Sequence, residues 1–554
     1  MQALNRRSFL KSAGLGALAL SAGGAAKALT AGKEKPASPV KKKPNIIYIL
    51  ADDMGYGDVD CLSEHNLIKT PNLDKLAAGG MIFTDAHSSS AVCTPTRYGI
   101  LTGRYNWRSR LKNGVLWGYS KHLINPKRMT VASLMKQNGY YTAAVGKWHL
   151  GLDYPTRDGK KPFGKKNGST NIDFAGRIKN SPVTYGFDYF WGIPASLDMD
   201  PYIWVNNDKF VGKCTTSKAF HRPGPAHKDF EAVDVLPTIT RKVVEQIELH
   251  KKSKTDKPMF VYFPLNAPHT PIVPTPQFKG KSKVGIYGDF VMQVDHHIGE
   301  VVQALKDNGM LENTLVIFTA DNGCSPAAVR WGTSKNIVFN NGKGKPFDPN
   351  KHYANAELRG HKADIFEGGH RVPFIAHWPA QVKAGSKYNQ TVCLTDLLAT
   401  CADIAGQKLP DNAGEDSVSI LPALLGKTQK PLREATVHHS INGSFSIRKG
   451  NWKLELCPGS GGWSYPRWRD VNMTNFPKAQ LYDLKADPGE TTNLYKKHPK
   501  IVRELTELLQ KYVDQGRSTP GKPQKNEGDT YIWRADWPNN KLGSKYKKNR
   551  KRKK

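Results

Sequence analysis

The stretch KKKPNIIYILADD (residues 41–53) is a short apolar run between charged residues, and it ends in two aspartates. PMFVYFPLNAPH (258–269) and NTLVIFTADNG (313–323) have the same form, with β-branched and aromatic residues followed by polar ones. Continuous apolar runs of this length are typical of strands that are buried on both faces, as in a parallel sheet covered by helices. The three stretches therefore predict strands of a buried, mostly parallel sheet.

Helical patterns alternate with these strands. TVASLMKQNGYYTAAVGK (130–147) and YGDFVMQVDHHIGEVVQALKDNG (287–309) place apolar residues at helical spacing, and Gly309 is suited to end the second helix. Strands that alternate with helices are typical of folds in which helices cover both faces of one sheet. The predicted fold class is thus α/β, with a doubly wound, mixed but mostly parallel sheet sandwiched by helices.

The pattern changes after about residue 430. SFSIRKGNWKLEL (444–456) predicts a hairpin, and HPKIVRELTELLQKYVDQG (498–516) predicts an amphipathic helix. We expect a second, smaller α+β domain in this region. The predicted organisation is a main domain (44–430), a small C-terminal α+β domain (435–517) and a basic polar tail (518–554).

Two long stretches, 155–182 and 325–356, are rich in glycine and lysine and have no apolar periodicity. We expect loops there, and loops of this length are often functional. EGGHRVP (367–373) predicts a tight structural turn. LYDLKADPGETTNL (481–494) is expected to pack between the two domains.

The N-terminus carries an export pattern. Arg6-Arg7 precede a weakly apolar stretch rich in glycine and alanine, and a small-residue site follows at Ala26-Lys27-Ala28. This order is typical of a twin-arginine signal, read by the Tat translocase and removed at an A-x-A site. We predict a signal peptide over 1–28, a linker over 29–43 and a periplasmic or secreted mature protein.

The formal net charge is +34, and the chain stays strongly basic even without its tail and its N-terminal segment. Nucleic acid, an anionic membrane surface and an anionic polymer substrate are the partners that suit such a charge. Export argues against nucleic acid. After the N-terminus no apolar run is long enough to span a bilayer, so we expect no stable membrane insertion.

Seven cysteines are present, and none forms a C-x-x-C pair, which leaves zinc ribbons and thioredoxin-type redox sites unsupported. Because seven is odd, at least one thiol remains over if others pair after export. Cys393 and Cys401 are candidates for a short-loop disulfide. Cys93 has the most unusual context of the seven, because it lies in SSSAVCTPTRYGIL (88–101).

The residues after Cys93 predict a helix with an anion site at its start. Thr94 is suited to the N-cap, Pro95 to the first turn and Gly103 to the C-terminal end. Free N–H groups and the helix dipole favour an anion at that start. Arg97 lies one turn along and can donate to the same anion.

Two acidic pairs follow predicted strands: Asp52-Asp53 and Asp321-Asn322. Ligands of such sheets bind at the carboxyl ends of the strands. Carboxylate and amide oxygens suit a hard cation such as calcium or magnesium. A cation beside an anion-binding helix start predicts a site for a sulfate or phosphate ester.

Cys93-Thr94-Pro95-Thr96-Arg97, followed by Leu-Thr-Gly-Arg at 101–104, resembles the signature of the formylglycine-dependent sulfatases. Further blocks resemble that family in its order along the chain. They are NIIYILADDMGYGD (45–58), TPNLDKLAAGGMIFTDAHS (70–88), GKWHLG (146–151), NAPHTP (266–271), FTADNG (318–323), RGHKADIFEGGHRVPFIAHWP (359–379) and LYDLKADPGETTNL (481–494).

The resemblance implies an alkaline-phosphatase-like fold and two cofactors. Cys93 would be converted to formylglycine by the formylglycine-generating enzyme, and one hydroxyl of its hydrate would attack sulfur. The resemblance also implies one calcium ion per chain. Its implied ligands are Asp52, Asp53, Asp321, Asn322 and the modified residue 93.

The same resemblance implies roles for five further residues. Arg97 and Lys147 would hold the hydrate and the sulfate oxygens, and His149 would assist collapse of the covalent sulfate. His269 and Lys362 would surround the leaving oxygen, with His269 as the general acid. A positioned acid is worth about 10²–10⁴-fold in rate, which an alkoxide leaving group requires.

Two alternatives remain open at this point. One is a phosphatase or phosphodiesterase of the same superfamily fold, although its second metal cluster is not evident in the sequence. The other is a catalytically silent protein that binds sulfated polysaccharide.

Within the sulfatase family, the chain looks most like the arylsulfatase A and N-acetylgalactosamine-6-sulfatase branch. This likeness predicts removal of sulfate from a sulfated glycan or a small sulfate ester, with O6 of a terminal galactose-type sugar as the expected position. Candidate sugar contacts are Ser196–Tyr202, the loop 325–356 and His370.

Overall fold

A computed structural model of the chain describes residues 42–330, 334, 336–343, 347–467 and 472–533. All of these fall within one compact unit, residues 39–554. The predicted signal peptide, most of the linker, part of the loop 325–356 and the tail beyond residue 533 lie outside the described residues. Within the described parts of the chain, none of the helices is long and apolar enough to cross a membrane.

The strands, in chain order, are β1 (Asn45–Asp52), β2 (Met81–Phe83), β3 (Ala86–His87), β4 (Tyr141–Lys147), β5 (Tyr189–Ile193), β6 (Val205–Asn206), β7 (Lys209–Phe210), β8 (Thr216–Ala219), β9 (Pro223–Ala226), β10 (Met259–Pro268), β11 (Thr314–Ala320), β12 (Ile337–Val338), β13 (His352–Tyr353), β14 (Phe374–His377), β15 (Ser386–Tyr388), β16 (Val392–Cys393), β17 (Thr436–His439), β18 (Phe445–Lys449), β19 (Trp452–Glu455) and β20 (Gln480–Asp483). The α-helices are α1 (Pro71–Ala78), α2 (Cys93–Thr102), α3 (Val131–Gln137), α4 (Val235–Lys252), α5 (Ile286–Asp307), α6 (Ala327–Arg330), α7 (Glu367–His370), α8 (Leu397–Ala405), α9 (Leu421–Leu424) and α10 (Pro499–Asp514).

Ten strands form the main sheet, in the order β15-β2-β14-β11-β1-β10-β4-β5-β6-β7. The five central strands from β11 to β5 run parallel to one another, whereas β14, β6 and β7 each pair with a neighbour in antiparallel orientation. The three apolar stretches 41–53, 258–269 and 313–323 supply β1, β10 and β11, and every residue of β10 and β11 is buried. The predicted α/β class and its mixed, mostly parallel sheet are confirmed.

The stretch 130–147 was predicted as one helix, and this prediction is wrong. Its first half forms α3, but its second half forms β4, which lies between β10 and β5. Helix α3 ends at Gln137 with Asn138 as its C-cap, and Gly139 follows with a φ of +85°, a backbone conformation that glycine adopts without strain. The predicted helix at 287–309 is confirmed as α5, with Gly309 just beyond its end.

A second, four-stranded antiparallel sheet lies in the C-terminal part, in the order β17-β18-β19-β20. The predicted hairpin is confirmed, since Lys449 pairs with Trp452 across a two-residue turn. Helix α10 is also confirmed, and its apolar residues Leu505 and Leu509 share a core with Leu454 of β19. The C-terminal part thus has the predicted α+β character.

The chain continues to pack beyond residue 517, where the sequence predicted the start of a polar tail. Asn526 Oδ1 accepts from Arg108 at 3.1 Å, and the carbonyl of Lys525 accepts from Arg104 at 2.8 Å. Ile532 is buried in the same core as α10. Residues 518–533 are therefore part of the folded body.

The candidate disulfide between Cys393 and Cys401 does not form in the structure. Both cysteines lie within the described residues, and each carries a separate buried thiol. Cys393 ends β16, whereas Cys401 lies in the middle of α8.

Candidate active site

The register of the central strands brings the predicted site together. Asp52 of β1 pairs with Pro268 of β10, and Ala51 pairs with Ala320 of β11. Because these strands are parallel and end at the same level, the residues that follow them share one edge of the sheet. Asp53, His269 and the pair at 321–322 accordingly meet there, at the place where ligands of such sheets bind.

Helix α2 begins at Cys93 itself, two residues earlier than the sequence predicted, and its N-cap is Val92. Thr94 is not the N-cap; its hydroxyl oxygen accepts from the backbone N–H of Leu116 at 3.2 Å. Cys93 is buried with 3% of its surface exposed. Gly103 ends the helix in the left-handed conformation with a φ of +61°, as predicted.

Arg97 lies on the same helix, but its guanidinium is already engaged by the protein. Its Nη2 lies 2.8 Å from Asp321 Oδ2, and its Nη1 donates to the carbonyl of Lys147 at 2.9 Å. Nη2 also lies 3.6 Å from Asp52 Oδ2. Arg97 thus contacts one aspartate of each acidic pair and the last residue of β4.

Two buried lysines each contact one aspartate of the first pair. Lys147 Nζ lies 2.5 Å from Asp52 Oδ2 and 3.1 Å from the hydroxyl of Ser196. Lys362 Nζ lies 2.6 and 2.8 Å from the two oxygens of Asp53. Burial raises the pKa of Asp52, but the charges of Lys147, His269, Arg97 and Lys362 together outweigh that effect and hold the pKa well below its usual range.

The two predicted histidines also reach this site. His149 Nε2 donates to the carbonyl of Leu116 at 2.8 Å, and within the described residues its buried Nδ1 has no hydrogen-bond partner. His269 Nδ1 lies 2.6 Å from the carbonyl of Thr270, and its Nε2 lies 3.6 Å from Asp53 Oδ2. Burial lowers the pKa of both imidazoles, which favours their neutral forms here.

The acidic groups fit a hard cation. Among the described residues no group donates to Asp52 Oδ1 or to Asn322 Oδ1, although both oxygens are buried. Burial and then the carboxylate of Asp52 raise the pKa of Asp321 above its usual range, because two carboxylates are held close together. Ligand atoms of Asp52, Cys93 and Asp321 lie within 4.8 Å of one another. Buried, unpartnered oxygens beside crowded carboxylates are the donor set that calcium prefers.

Two residues that the sequence placed only within candidate sugar-contact segments, Ser196 and Asn355, organise this site. The hydroxyl of Ser196 lies 3.3 Å from the ring nitrogens of His269 and also contacts Lys147, so it connects these two side chains. Asn355 accepts from the backbone N–H of Cys324 and donates to the carbonyl of Gly360, both at 3.0 Å. It therefore joins the loop after β11 to the loop that carries Lys362. Asn355 lies in an irregular segment, where no pattern singles out one asparagine.

One candidate sugar contact is wrong. His370 is fully buried, its Nδ1 lies 3.1 Å from His87 and its Nε2 lies 3.0 Å from the carbonyl of Ile365. Its ring also stacks on His438 with centroids 4.0 Å apart. With both nitrogens engaged by the protein, His370 has a structural role at the base of the C-terminal sheet.

The chain matches two family descriptions, Sulfatase over residues 44–407 and N-sulphoglucosamine sulphohydrolase, C-terminal, over residues 361–516. It is 35% identical over 510 residues to an N-acetylgalactosamine-6-O-sulfatase of Bacteroides thetaiotaomicron, covering 85% of this chain and 93% of the relative. It is 32% identical over 473 residues to human arylsulfatase A, covering 82% of this chain and 84% of the relative.

Solved structures agree with these relatives. One solved structure superposes with a TM-score of 0.71 at 34% identity, covering 85% of this chain and 99% of the other. That structure is described as concerning the metabolism of multiple glycosaminoglycans by Bacteroides thetaiotaomicron. Ps i-CgsB, solved in complex with a neocarrahexaose, superposes with a TM-score of 0.63 at 26% identity, covering 85% of this chain and 93% of the other.

Proposed function

This chain belongs to the sulfatase family, and from that premise we propose that it removes the 6-O-sulfate of a terminal galactose-type sugar at the site around Cys93. Its class is that of a sulfuric ester hydrolase acting on sulfated carbohydrates. The observation that carries the assignment to this site is the position of Cys93. It opens a buried helix, and its ligand atom lies within 4.8 Å of those of Asp52 and Asp321.

The position of the sulfate is supported by similarity. The relative at 35% identity is a 6-O-sulfatase of N-acetylgalactosamine. The strongly basic chain, with a net charge of +34, also suits an anionic polymer as the source of the substrate. Both named relatives are sulfatases, so the phosphatase and the silent binding protein are not retained as candidate functions.

Two groups would complete the site. One calcium ion would be held by Asp52, Asp53, Asp321, Asn322 and residue 93, and when bound it would neutralise charge on the sulfate oxygens. Formylglycine would be formed from Cys93 by the formylglycine-generating enzyme, and its hydrate would supply the oxygen nucleophile.

The chain's own cations bind and orient the sulfate. An ammonium has three donors. Lys147 donates two hydrogen bonds, one to Asp52 and one to Ser196. Lys362 directs two of its three donors at the two oxygens of Asp53. Each lysine therefore retains a donor for a sulfate oxygen. Preorganised positive charge of this kind lowers the free energy of the transferring group without any rearrangement during the reaction.

The two histidines manage protons at defined atoms. His149 donates through Nε2 to Leu116, which leaves Nδ1 as a buried acceptor for a proton. His269 donates through Nδ1 to Thr270, so its Nε2 is the atom that carries a proton to the leaving sugar oxygen. Entry of an anionic sulfate favours that protonated form by Coulomb attraction. Overall one water is consumed, the S–O bond to the sugar breaks, and the products are the alcohol and hydrogen sulfate.

The mass of one tryptic peptide tests the maturation of Cys93. In protein from its native host, cleavage after Lys75 and Arg97 releases residues 76–97. Conversion of the thiol to an aldehyde lowers the mass of that peptide by about 18 Da, since sulfur is exchanged for oxygen and two hydrogens are lost. An unmodified thiol in active protein would contradict the proposed mechanism.

Substrate comparison tests the position of the sulfate. We expect faster hydrolysis of 6-sulfated than of 4-sulfated galactose and N-acetylgalactosamine. Equal or faster hydrolysis of the 4-sulfates would overturn the assignment to O6.

Export is proposed from the sequence of residues 1–28. The Tat translocase would deliver the protein to the periplasm or beyond. Replacing Arg6-Arg7 with a lysine pair is expected to leave the precursor uncleaved in the cytoplasm, and sequencing of the mature N-terminus tests the cleavage site. Export of the lysine variant at an unchanged level would contradict the proposed route.

A further inference from the structure

The loop after β5 leads outward from the active site. Ser196, three residues beyond the strand, contacts Lys147 and His269. The N–H of Met199 donates to the carbonyl of Ser196 at 2.9 Å, so the chain turns back tightly here. Asp198 lies at this turn.

Asp198 is a buried carboxylate with one unused oxygen. Only 7% of the residue is exposed, and within the described residues its Oδ1 has no hydrogen-bond partner. Its Oδ2 accepts from Arg222 Nη1. Burial raises the pKa of Asp198, but the charges of His269, Arg222 and Lys147 outweigh that effect and hold the pKa below its usual range. The carboxylate is therefore ionised, and it lies close enough to His269 and Lys147 to interact with them electrostatically.

Arg222 connects this carboxylate to the surface. The same Nη1 also donates to the backbone carbonyl of Asp198 at 3.1 Å. The side chain is 41% exposed, so donors of the guanidinium remain open to solvent. Its central carbon lies 5.1 Å from the centroid of the Trp117 ring.

Trp117 is an exposed aromatic residue that follows Leu116, a residue tied to the start of α2. It is 56% exposed, although its neighbour Leu116 is buried. Leu116 is held by two hydrogen bonds, from its N–H to Thr94 at 3.2 Å and from His149 to its carbonyl at 2.8 Å. A Cβ at Gly118 would lie 1.7 Å from the carbonyl of Asp200, so only glycine lets this segment pack on the loop that carries Asp198.

We propose that Trp117, Asp198 and Arg222 form a subsite that binds the sugar ring carrying the sulfate ester. The inference rests on the proposed function and specifies what surrounds the leaving group. Asp198 Oδ1 accepts a hydrogen bond from a ring hydroxyl, Arg222 donates to a neighbouring oxygen, and the indole face of Trp117 packs against the C–H groups of the ring. The three residues connect the site to the surface. Lys147 contacts Ser196, Asp198 lies two residues further along the chain, and Arg222 contacts both Asp198 and Trp117.

The chemistry of the three groups selects a neutral sugar. An ionised carboxylate with an unused oxygen attracts a hydroxyl donor and repels a second sulfate or a carboxylate. A small aryl sulfate has no hydroxyl to offer to Asp198. The subsite thus separates sugar sulfates from aryl sulfates, which share the sulfate site and differ in the leaving group.

Two substrates measured in parallel test the subsite. We compare kcat/KM for a 6-sulfated N-acetylgalactosamine with kcat/KM for 4-nitrophenyl sulfate in matured protein. Asp198→Ala removes a hydrogen bond to a charged group and should lower the sugar-to-aryl ratio roughly 10- to 100-fold. Asp198→Asn should lower it less, and Trp117→Ala roughly 5- to 10-fold.

Two variants elsewhere provide matched controls. Leu249→Ala removes an apolar side chain that is 58% exposed on α4, and Asp208→Asn breaks the surface pair with Arg177. Both should leave the ratio unchanged. A variant of Asp198 or Trp117 that lowers both activities equally, or neither, would overturn the subsite.

A binding measurement separates this inference from the proposed function. Asp198 also lies near His269, so its removal alters the charge around the proposed acid; Trp117 carries no charge and has no such effect. Calorimetric binding of unsulfated N-acetylgalactosamine requires no turnover. Binding by the unaltered protein that Trp117→Ala and Asp198→Ala weaken supports the subsite even if no sulfate ester is cleaved. Absence of binding by the unaltered protein would overturn it.

Discussion

Replacing Lys453 with methionine should destabilise the protein strongly, because this buried ammonium is in contact with three buried glutamates. Its Nζ lies 2.8 Å from Glu490 Oε1, 3.1 Å from Glu455 Oε1 and 3.2 Å from Glu367 Oε1. It also donates to the carbonyl of Ile365 at 2.9 Å. The network joins β19 of the C-terminal sheet to α7 of the main domain and to the segment 481–494.

The magnitude follows from the burial of these charges. All four side chains have no exposed surface, and loss of one partner from a buried network costs about 3–5 kcal/mol. Burial raises the pKa of Glu490 and of Glu455, which reduces the negative charge left behind. We therefore expect a loss at the lower end of this range, about 3 kcal/mol, in the free energy of unfolding. Unfolding in urea, monitored by tryptophan fluorescence and circular dichroism, measures this loss.

The control is Lys449→Met. Lys449 lies 2.9 Å from Glu434 at the end of the neighbouring strand, but both side chains are about half exposed, so the variant should lose less than about 1 kcal/mol. The double variant Lys453→Met/Glu490→Gln should recover part of the loss, because it removes a stranded carboxylate together with its partner.

The sign of the pH dependence provides a further test. Burial raises the folded-state pKa values of Glu455 and Glu490 above their unfolded values, and loss of the Lys453 charge raises them further. Their protonated forms stabilise the fold below the unfolded pKa near 4.3, and this contribution is lost as the pH rises through the folded pKa. The deficit of Lys453→Met should therefore be larger at pH 8 than at pH 5. A deficit no larger than that of Lys449→Met, or one independent of pH, would refute the reasoning.

Three further predictions concern the active site. Cys93→Ser supplies a single hydroxyl in place of a hydrated aldehyde and should lower kcat on the order of 10³-fold or more in a steady-state assay; a smaller loss would contradict the assigned nucleophile. Chelation should abolish turnover, added calcium should restore it, and elemental analysis should find one calcium per chain; two zinc ions would contradict the site. Asn355→Asp keeps the acceptor for Cys324 but loses the donor to Gly360, and should lower kcat/KM about 10-fold, with a larger loss in Asn355→Ala; equal losses would contradict the role of the donor.

The central strands could be predicted from the sequence because strands that are buried on both faces consist of nearly continuous apolar runs. β1, β10 and β11 are mostly apolar, and the polar residues at or after their ends mark the edge where the site lies. The stretch 130–147 was misread as one helix because Val131–Gln137 and Tyr141–Lys147 both contain several apolar residues. Only the Asn-Gly pair between them signals the change from helix to strand.

Other features depend on contacts that no local pattern records. His370 follows two glycines in a motif beside site residues, yet its partners His87 and His438 come from distant parts of the chain. Asn355 and Ser196 act through hydrogen bonds to segments that are remote in sequence. Cys93, by contrast, was identified by its neighbours, since a helix start, a proline and an arginine at fixed spacing lie within five residues.

The packing of residues 518–533 has a consequence for the order of events during synthesis. Arg108, six residues after the end of α2, is held by Asn526, which the ribosome adds 418 residues later. At 5–20 residues per second that interval lasts roughly 20 to 80 s. Throughout it, the segment that follows Cys93 lacks part of its final support. A modifying enzyme that needs an open chain would therefore have a time window, which narrows once residues 518–533 have left the ribosome and packed against this segment.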